Sequence, residues 1–286
     1  MYKIAILGCE NSHADTFLDF ILKEKRYTDI EVIGVYSEDT EAAKKLNEKY
    51  GVYTAQSYDE FVGKADGILI TARHGGNHLK YAKPYIKSGI PMFIDKPITV
   101  SEEEAVELKK ELTENNVRVC GGSVCRYPEL IQKLKRHVRE KTYGKVYGGV
   151  LRAPIDMRNS YGDFFFYAQH LVQAMCEIFG FYPSSVKAFV NENVINCTVR
   201  YDEYDVNLVY VGGEYSYYAG INCEKNAVFE KYSLDGSFEK EFDTFYKLLC
   251  GDEQPESYED FIAPVFIMNA IDRSIKNGTE EKINKQ

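Results

Sequence analysis

The chain has 286 residues, 44% hydrophobic and 28% charged, with a formal net charge of -9. That length suggests two domains, each able to bury a core of its own, and the acidic balance disfavours a protein that tracks nucleic-acid phosphates. No apolar run approaches the ~18 residues needed to span a bilayer, so small molecules are the expected partners, with neither nucleic acid nor membrane among them.

A strand-like run, Tyr2-Lys3-Ile4-Ala5-Ile6-Leu7, opens the chain, without the basic and apolar pattern of a secretory leader, and a cytoplasmic location is expected. Seven cysteines, an odd number with no C-x-x-C, fit buried reduced thiols better than a disulfide framework. Strand-like runs then alternate with helical ones. The strands are expected at 3–7, 31–36, 67–71, 91–94 and 118–120, with a short extended piece near Val52. Helical spacing covers 12–25, 40–50 and 101–115. This alternation predicts a parallel sheet covered on both faces.

The first strand leads into Gly8-Cys9-Glu10-Asn11-Ser12-His13. A dinucleotide fingerprint, G-x-G-x-x-G, uses its glycines for the turn, for approach to the pyrophosphate and for helix packing. Only the first is here: Glu10 and His13 hold the second and third positions. Ser12 can cap the following helix, whose amides favour an anion. A Glu10 carboxylate aimed at a phosphate ~4 Å away would cost about 1–4 kcal/mol unless it turns outward.

The second strand ends Tyr36-Ser37-Glu38-Asp39, placing Ser37 where dinucleotide proteins bind the adenosine ribose. Serine tolerates a ribose phosphate and Glu38 repels it, so both NAD and NADP stay open. After the strand ending at Thr71, His74 and His78 stand four apart. On a helix that spacing could hold a metal, but Gly75-Gly76 lies between them and no third ligand is evident, so no metal is expected.

Met92-Phe93-Ile94-Asp95-Lys96-Pro97 begins as a buried strand and ends in a carboxylate, an amine and a proline. Open α/β sheets bind ligands beyond the carboxyl ends of their strands, which turns Lys96 toward a ligand. From about Ser123 the pattern becomes one or two helices followed by strands at 146–153, 186–191, 194–201, 206–211, 215–223 and 227–231. Mainly antiparallel pairing is expected, with a helix near 164–179 on one face and two helices, 238–249 and 257–276, at the end. Val206, Leu208 and Tyr210 alternate with Asn207, Val209 and Val211, leaving apolar residues on both faces; the open face is expected to build a homo-oligomer, dimer or tetramer.

Taken together, these pieces resemble the glucose-fructose oxidoreductase, inositol dehydrogenase and MocA (Gfo/Idh/MocA) family of NAD(P)-dependent oxidoreductases. The resemblance covers nearly the whole chain and rests on the glycine turn, Ala65-Asp66-Gly67, Thr71 and His78, and Asp95-Lys96-Pro97 where the family usually carries Glu-Lys-Pro. It continues through Arg126-Tyr127-Pro128, Tyr143-Gly144-Lys145-Val146 and His170.

The resemblance implies a Rossmann domain, doubly wound on a parallel sheet, over residues 1–122. An α+β substrate and oligomerisation domain with an open, mainly antiparallel sheet would follow over 123–286. It implies hydride transfer between NAD or NADP and a small hydroxylated or carbonyl substrate, sugar- or polyol-like. Lys96 would orient the substrate oxygen and His170 would act as general acid or base. Gly8, Asn11, Ser12 and His13 would frame the pyrophosphate, Ser37 the adenosine ribose, and Thr71, His78 and Asp95 the nicotinamide side, with Arg126 and Tyr167 toward the substrate. The family's Asp-x-x-x-His departs here: Phe166 stands four residues before His170. That departure, with Glu10, favours the rival reading of a catalytically silent ligand-binding or regulatory protein on the same fold.

Overall fold

The structure is a computed structural model that describes residues 1–284. In chain order the first elements are β1 (Tyr2–Leu7), α1 (Ser12–Leu18), β2 (Ile30–Tyr36), α2 (Thr40–Tyr50), β3 (Gly67–Ile70), α3 (His78–Ile86), β4 (Met92–Asp95), α4 (Glu102–Glu114) and β5 (Val119–Gly122). There follow α5 (Glu129–Arg139), β6 (Val146–Ile155), α6 (Phe164–Phe179), β7 (Ser185–Asn191), β8 (Val194–Arg200), β9 (Asp205–Gly212), β10 (Tyr217–Cys223) and β11 (Ala227–Tyr232). The last are α7 (Ser237–Leu249), α8 (Tyr258–Asn277) and β12 (Glu280–Lys282).

Two compact units emerge. The first comprises Met1–Thr99, Glu103–Gly122 and Phe238–Phe261; the second comprises Val100–Glu102, Ser123–Ser237 and the chain from Ile262 onward. The chain therefore returns to the first unit late, which a linear division into 1–122 and 123–286 leaves out. The physical reason is the apolar stripe of α7: Phe242, Phe245, Leu248 and Leu249 join Ile4, Ile6, Phe17, Leu69 and Phe93 in one buried cluster. Phe17 meets Phe93 edge-on at 5.4 Å between centroids and Phe242 at 5.1 Å.

In the first unit five strands pair in the order β2-β1-β3-β4-β5, all in parallel. Every residue of β3, β4 and β5 is buried, as a parallel sheet covered on both faces requires. The piece near Val52 contributes one bridge, Val35 to Thr54, rather than a strand. The strand order reverses beside β1, and ligand crevices in such sheets open beyond the carboxyl ends at that reversal. Gly8, Ser37, Thr71 and Lys96 each directly follow one of these strand ends.

In the second unit seven strands pair in the order β11-β10-β6-β9-β8-β7-β12. Only β6 with β9 is parallel; the other pairings are antiparallel. Val206, Leu208 and Tyr210 face inward with no exposure, and the Tyr210 hydroxyl donates to the Ala168 carbonyl of α6 at 3.2 Å. On the other face the cross-strand register aligns Val209 with Asn196 and Arg152. Among the described residues no helix is long and apolar enough to cross a membrane.

Candidate active site

Construction of the site begins at the turn after β1. Gly8 has φ +76, and a Cβ there would stand 2.4 Å from Ala72; only glycine meets both conditions. Its amide donates to the Tyr36 carbonyl at 2.7 Å, and Thr71, fully buried, donates from Oγ1 to the Gly8 carbonyl at 3.0 Å. Thr71 thereby ties the turn to the end of β3. Burial, with Glu10 adding to it, pushes the Cys9 thiol up to about 12, so it stays an uncharged packing group.

Asn11, rather than Ser12, is the N-cap of α1, and its side chain makes no capping bond. Its Nδ2 instead donates to Asp95 Oδ2 at 2.8 Å. Ser12 is exposed and its hydroxyl donates to Asn11 Oδ1 at 3.3 Å, so the expected cap gives way to a longer-range bond. His13 Nδ1 also meets Asp95 Oδ2, and the second carboxylate oxygen accepts the Lys96 amide at 2.6 Å. Asp95 has no exposure, His13 4% and Asn11 7%. A buried carboxylate is tolerated only with its acceptor sites filled, and here the turn and the strand end fill them.

Glu10 is likewise committed. Its Oε2 accepts from the Ser37 hydroxyl at 2.6 Å, and its Oε1 accepts from the Arg73 amide at 3.0 Å. Ser37 in turn accepts the Asp39 amide at 3.0 Å. A second carboxylate, from the turn after β1, thus stands beside Ser37 at the end of β2. Glu38, next along, is exposed and pairs with Lys80 at 2.7 Å.

Lys96 follows β4 and is 5% exposed; lysine is seldom buried this far unless it is paired. The two histidines of the neighbouring loop serve the backbone separately. His74 Nδ1 accepts the Gly76 amide at 3.1 Å, capping a short 3-10 turn. His78, fully buried, faces the Ala72 carbonyl from Nε2 at 2.8 Å and the Ile98 carbonyl from Nδ1 at 3.2 Å. Burial lowers its pKa, and a neutral ring has a single N–H, which serves the closer Ala72 carbonyl. Among the described residues no group of three or more His, Cys, Asp or Glu is placed to hold a metal.

In the second unit His170 lies on α6, 6% exposed. Its Nδ1 is 2.7 Å from the Ser123 hydroxyl, and Tyr167 packs edge-on against the ring at 5.4 Å between centroids. One and two turns further along α6, Gln173 and Glu177 are also buried. The Glu177 carboxylate accepts from Arg126 at 2.8 Å, Lys135 at 2.7 Å and Gln173 at 3.3 Å. Burial alone would raise this carboxyl, but Arg126 and then Lys135 outweigh it and hold it below the usual range. Arg126 is therefore engaged with its own domain.

A family model described as an oxidoreductase family with an NAD-binding Rossmann fold, GFO_IDH_MocA, matches residues 2–123. Residues 2–123 thus match the model of the GFO_IDH_MocA oxidoreductases. No curated protein matches the sequence. Among solved structures, myo-inositol 2-dehydrogenase from Lactobacillus plantarum is similar with TM-score 0.86 at 15% identity, covering 99% of each chain. A myo-inositol dehydrogenase from Corynebacterium glutamicum gives 0.82 at 16% identity, covering 100% of both chains. The WlbA dehydrogenase from Bordetella pertussis, solved with NADH and UDP-GlcNAcA, gives 0.83 at 16% identity, covering 100% of this chain and 99% of its own. At these identities the likeness establishes a shared fold.

The structure brings Asn11 and His13 together on Asp95, ties Thr71 to Gly8 and ties Ser37 to Glu10. Ser12 touches this set only through its hydroxyl bond to Asn11 and does not reach Asp95. Ser123, Glu177 and the acceptor role of Glu10 were not foreseen, because none belongs to a motif and each partner is distant in sequence. The second-unit residues Arg126, Tyr167 and His170 share α6 or its neighbours.

Proposed function

We propose that the protein is an NAD-dependent dehydrogenase acting on a small CH–OH or carbonyl substrate of the sugar or polyol class. The observation that carries this reading is the family match over 2–123, on a chain that buries Lys96 just past a carboxyl end of its Rossmann sheet. The residues at that sheet edge fit a dinucleotide: a glycine turn with a close backbone approach, and a hydroxyl and carboxylate for a ribose diol. Gly8, Asn11 and His13 shape the pyrophosphate turn, with Ser12 at its exposed rim, and Ser37 with Glu10 meets the ribose. Thr71, His78 and Asp95 hold the nicotinamide side in shape. NAD, when bound, supplies or accepts the hydride.

Lys96 orients the substrate oxygen and stabilises charge that develops there, as an ammonium in a poorly hydrated setting does best. In the second unit His170 is the acid–base candidate, with Tyr167 beside it as a further donor and Arg126 fixing the segment after β5. NAD is favoured over NADP, because a ribose phosphate would approach the Glu10 carboxylate and Glu38. Polyols and sugar-nucleotide acids, the chemistry of the similar structures, form the first substrate panel.

A homo-oligomer through the open sheet face is part of the same proposal. Phe189 and Phe229 lie on that face by strand register, 58% and 57% exposed, a state that water does not favour. A monomeric mass by light scattering at micromolar concentration would remove it. A cytoplasmic location is supported by seven cysteines that are all free thiols.

Absorbance at the NADH band, with the substrate panel, tests the enzyme itself. Lys96→Ala should cut turnover by orders of magnitude while leaving NADH binding and the circular dichroism of the folded protein intact. Unchanged turnover refutes the role of Lys96. Failure of folded protein to bind NADH refutes the cofactor.

A further inference from the structure

We propose that Ser123 is the positioning residue of His170 and sets which of its ring nitrogens carries the proton. The inference rests on the reading that His170 serves the substrate oxygen, and it narrows that role from acid–base exchange to hydrogen-bond donation by adding a residue and a protonation state. Where a carboxylate would be expected four residues before His170, the chain has Phe166, so no carboxylate from that position orients the imidazole.

Ser123 is well held for that task. It directly follows β5 and is the N-cap of the short 3-10 turn Val124–Arg126, with φ -100 and ψ 134. Its Oγ accepts the Cys125 amide at 3.1 Å and lies 2.7 Å from His170 Nδ1, with no exposure to solvent. Capping fixes the oxygen before any substrate arrives.

Proton bookkeeping selects one tautomer. If Nδ1–H donated to Oγ, the serine hydroxyl would be left buried without an acceptor, costing about 1–3 kcal/mol. If the serine O–H donates to Nδ1, both serine groups are satisfied and the neutral ring carries its proton on Nε2. A carboxylate acts in the opposite sense: it only accepts, so it places the proton on Nδ1 and leaves Nε2 as a base. Serine also brings no charge to stabilise an imidazolium. His170 in this chain therefore rests as an Nε2–H donor, suited to hydrogen-bond a carbonyl or alkoxide oxygen.

Nitrogen-15 NMR of histidine-labelled protein reads the tautomer directly. The His170 signals are assigned by their loss in His170→Asn, which separates them from the other four of five histidines. Wild type should show Nε2–H; Ser123→Ala should lose that preference, and Ser123→Thr should retain it. Turnover of Ser123→Ala should fall about tenfold or more, the usual effect of removing a partner that orients a working imidazole, with the NADH dissociation constant within about twofold. A wild-type ring protonated on Nδ1, or a tautomer unchanged in Ser123→Ala, overturns the proposal. The wild-type spectrum decides even if the alanine variant fails to fold. Absence of turnover on every substrate, with the tautomer shift present, would count against the dehydrogenase reading alone.

Discussion

His13 and Asp95 meet side chain to side chain beneath the glycine turn, joining the start of α1 to the end of β4. His13 stands where a dinucleotide fingerprint has its last glycine, and its ring fills the space that a closer helix would take. The same carboxylate oxygen holds Asn11, so one buried acid fixes two residues of the turn. Asp95→Ala should leave three donors, Asn11, His13 and the Lys96 amide, without an acceptor and destabilise the first unit by about 3 kcal/mol or more, at 1–3 kcal/mol for each orphaned group. Asp95→Asn keeps one acceptor oxygen but sets its amide NH2 against a donor on the other side, so it should cost less than Asp95→Ala yet remain destabilising. Urea unfolding followed by circular dichroism measures both; equal midpoints for wild type and Asp95→Ala would show that the contact is idle.

Glu10 should decide between the two nicotinamide cofactors. Its carboxylate, held by Ser37 and the Arg73 amide, has lone pairs left for a ribose hydroxyl. A phosphate about 4 Å away would instead be repelled by about 1–4 kcal/mol. NADH should bind at least about tenfold more tightly than NADPH, equivalent to about 1.4 kcal/mol. Glu10→Gln should narrow that gap, chiefly by improving NADPH. The chain has no tryptophan, so titration by the fluorescence of the reduced cofactor is clean. Equal affinities in the wild type would remove Glu10 from this role.

The sheet of the first unit was legible because buried parallel strands read as continuous apolar runs, as in Gly67–Ile70 and Met92–Asp95. The return of α7 was not, since a stripe of Phe242, Phe245 and Leu248 announces a buried face without naming what buries it. β12, three residues reading Glu280–Lys282, carries no apolar period at all. Within the site, Lys96 was readable from its place after a strand. Glu10 and His13 looked like losses from a glycine motif, because their partners Ser37 and Asp95 lie 27 and 82 residues away. Ser12 illustrates the reverse error: a residue of the right type for a cap, displaced when Asn11 took the boundary position.

His78 should give the first unit a pH dependence of defined sign. Burial lowers its pKa from the ordinary 6.5, so the unfolded state takes up a proton before the folded one. Its contribution is complete above about pH 6.5 and is lost as pH falls toward the folded value, with a slope of up to about 1.4 kcal/mol per pH unit. His78→Gln keeps a donor for the Ala72 carbonyl and removes the titration. The slope of stability against pH just below 6.5 should therefore flatten in that variant. An unchanged slope would place the titrating group elsewhere.

Glu177 should govern the second unit at lower pH. Its carboxyl is held below the ordinary 4.5, because Arg126 and then Lys135 overcome the cost of burial. A depressed carboxyl stabilises the fold fully above the unfolded value and ceases to do so as pH falls through the folded one. Stability should therefore be flat with respect to this group above about pH 5 and decline below about 4.5. Glu177→Gln removes the charge but leaves Arg126, 14% exposed, facing an amide in a largely dry setting. Breaking a buried pair from one side costs about 3 kcal/mol, and the loss should be largest at neutral pH, shrinking as acid protonates the wild type. Arg126→Met with Glu177→Met, which removes the principal charges together, should recover part of that loss. Thermal unfolding of the three proteins between pH 3.5 and 7.5 checks the set; a Glu177→Gln deficit that does not shrink in acid would show that packing at this position, rather than charge, holds α6 in place.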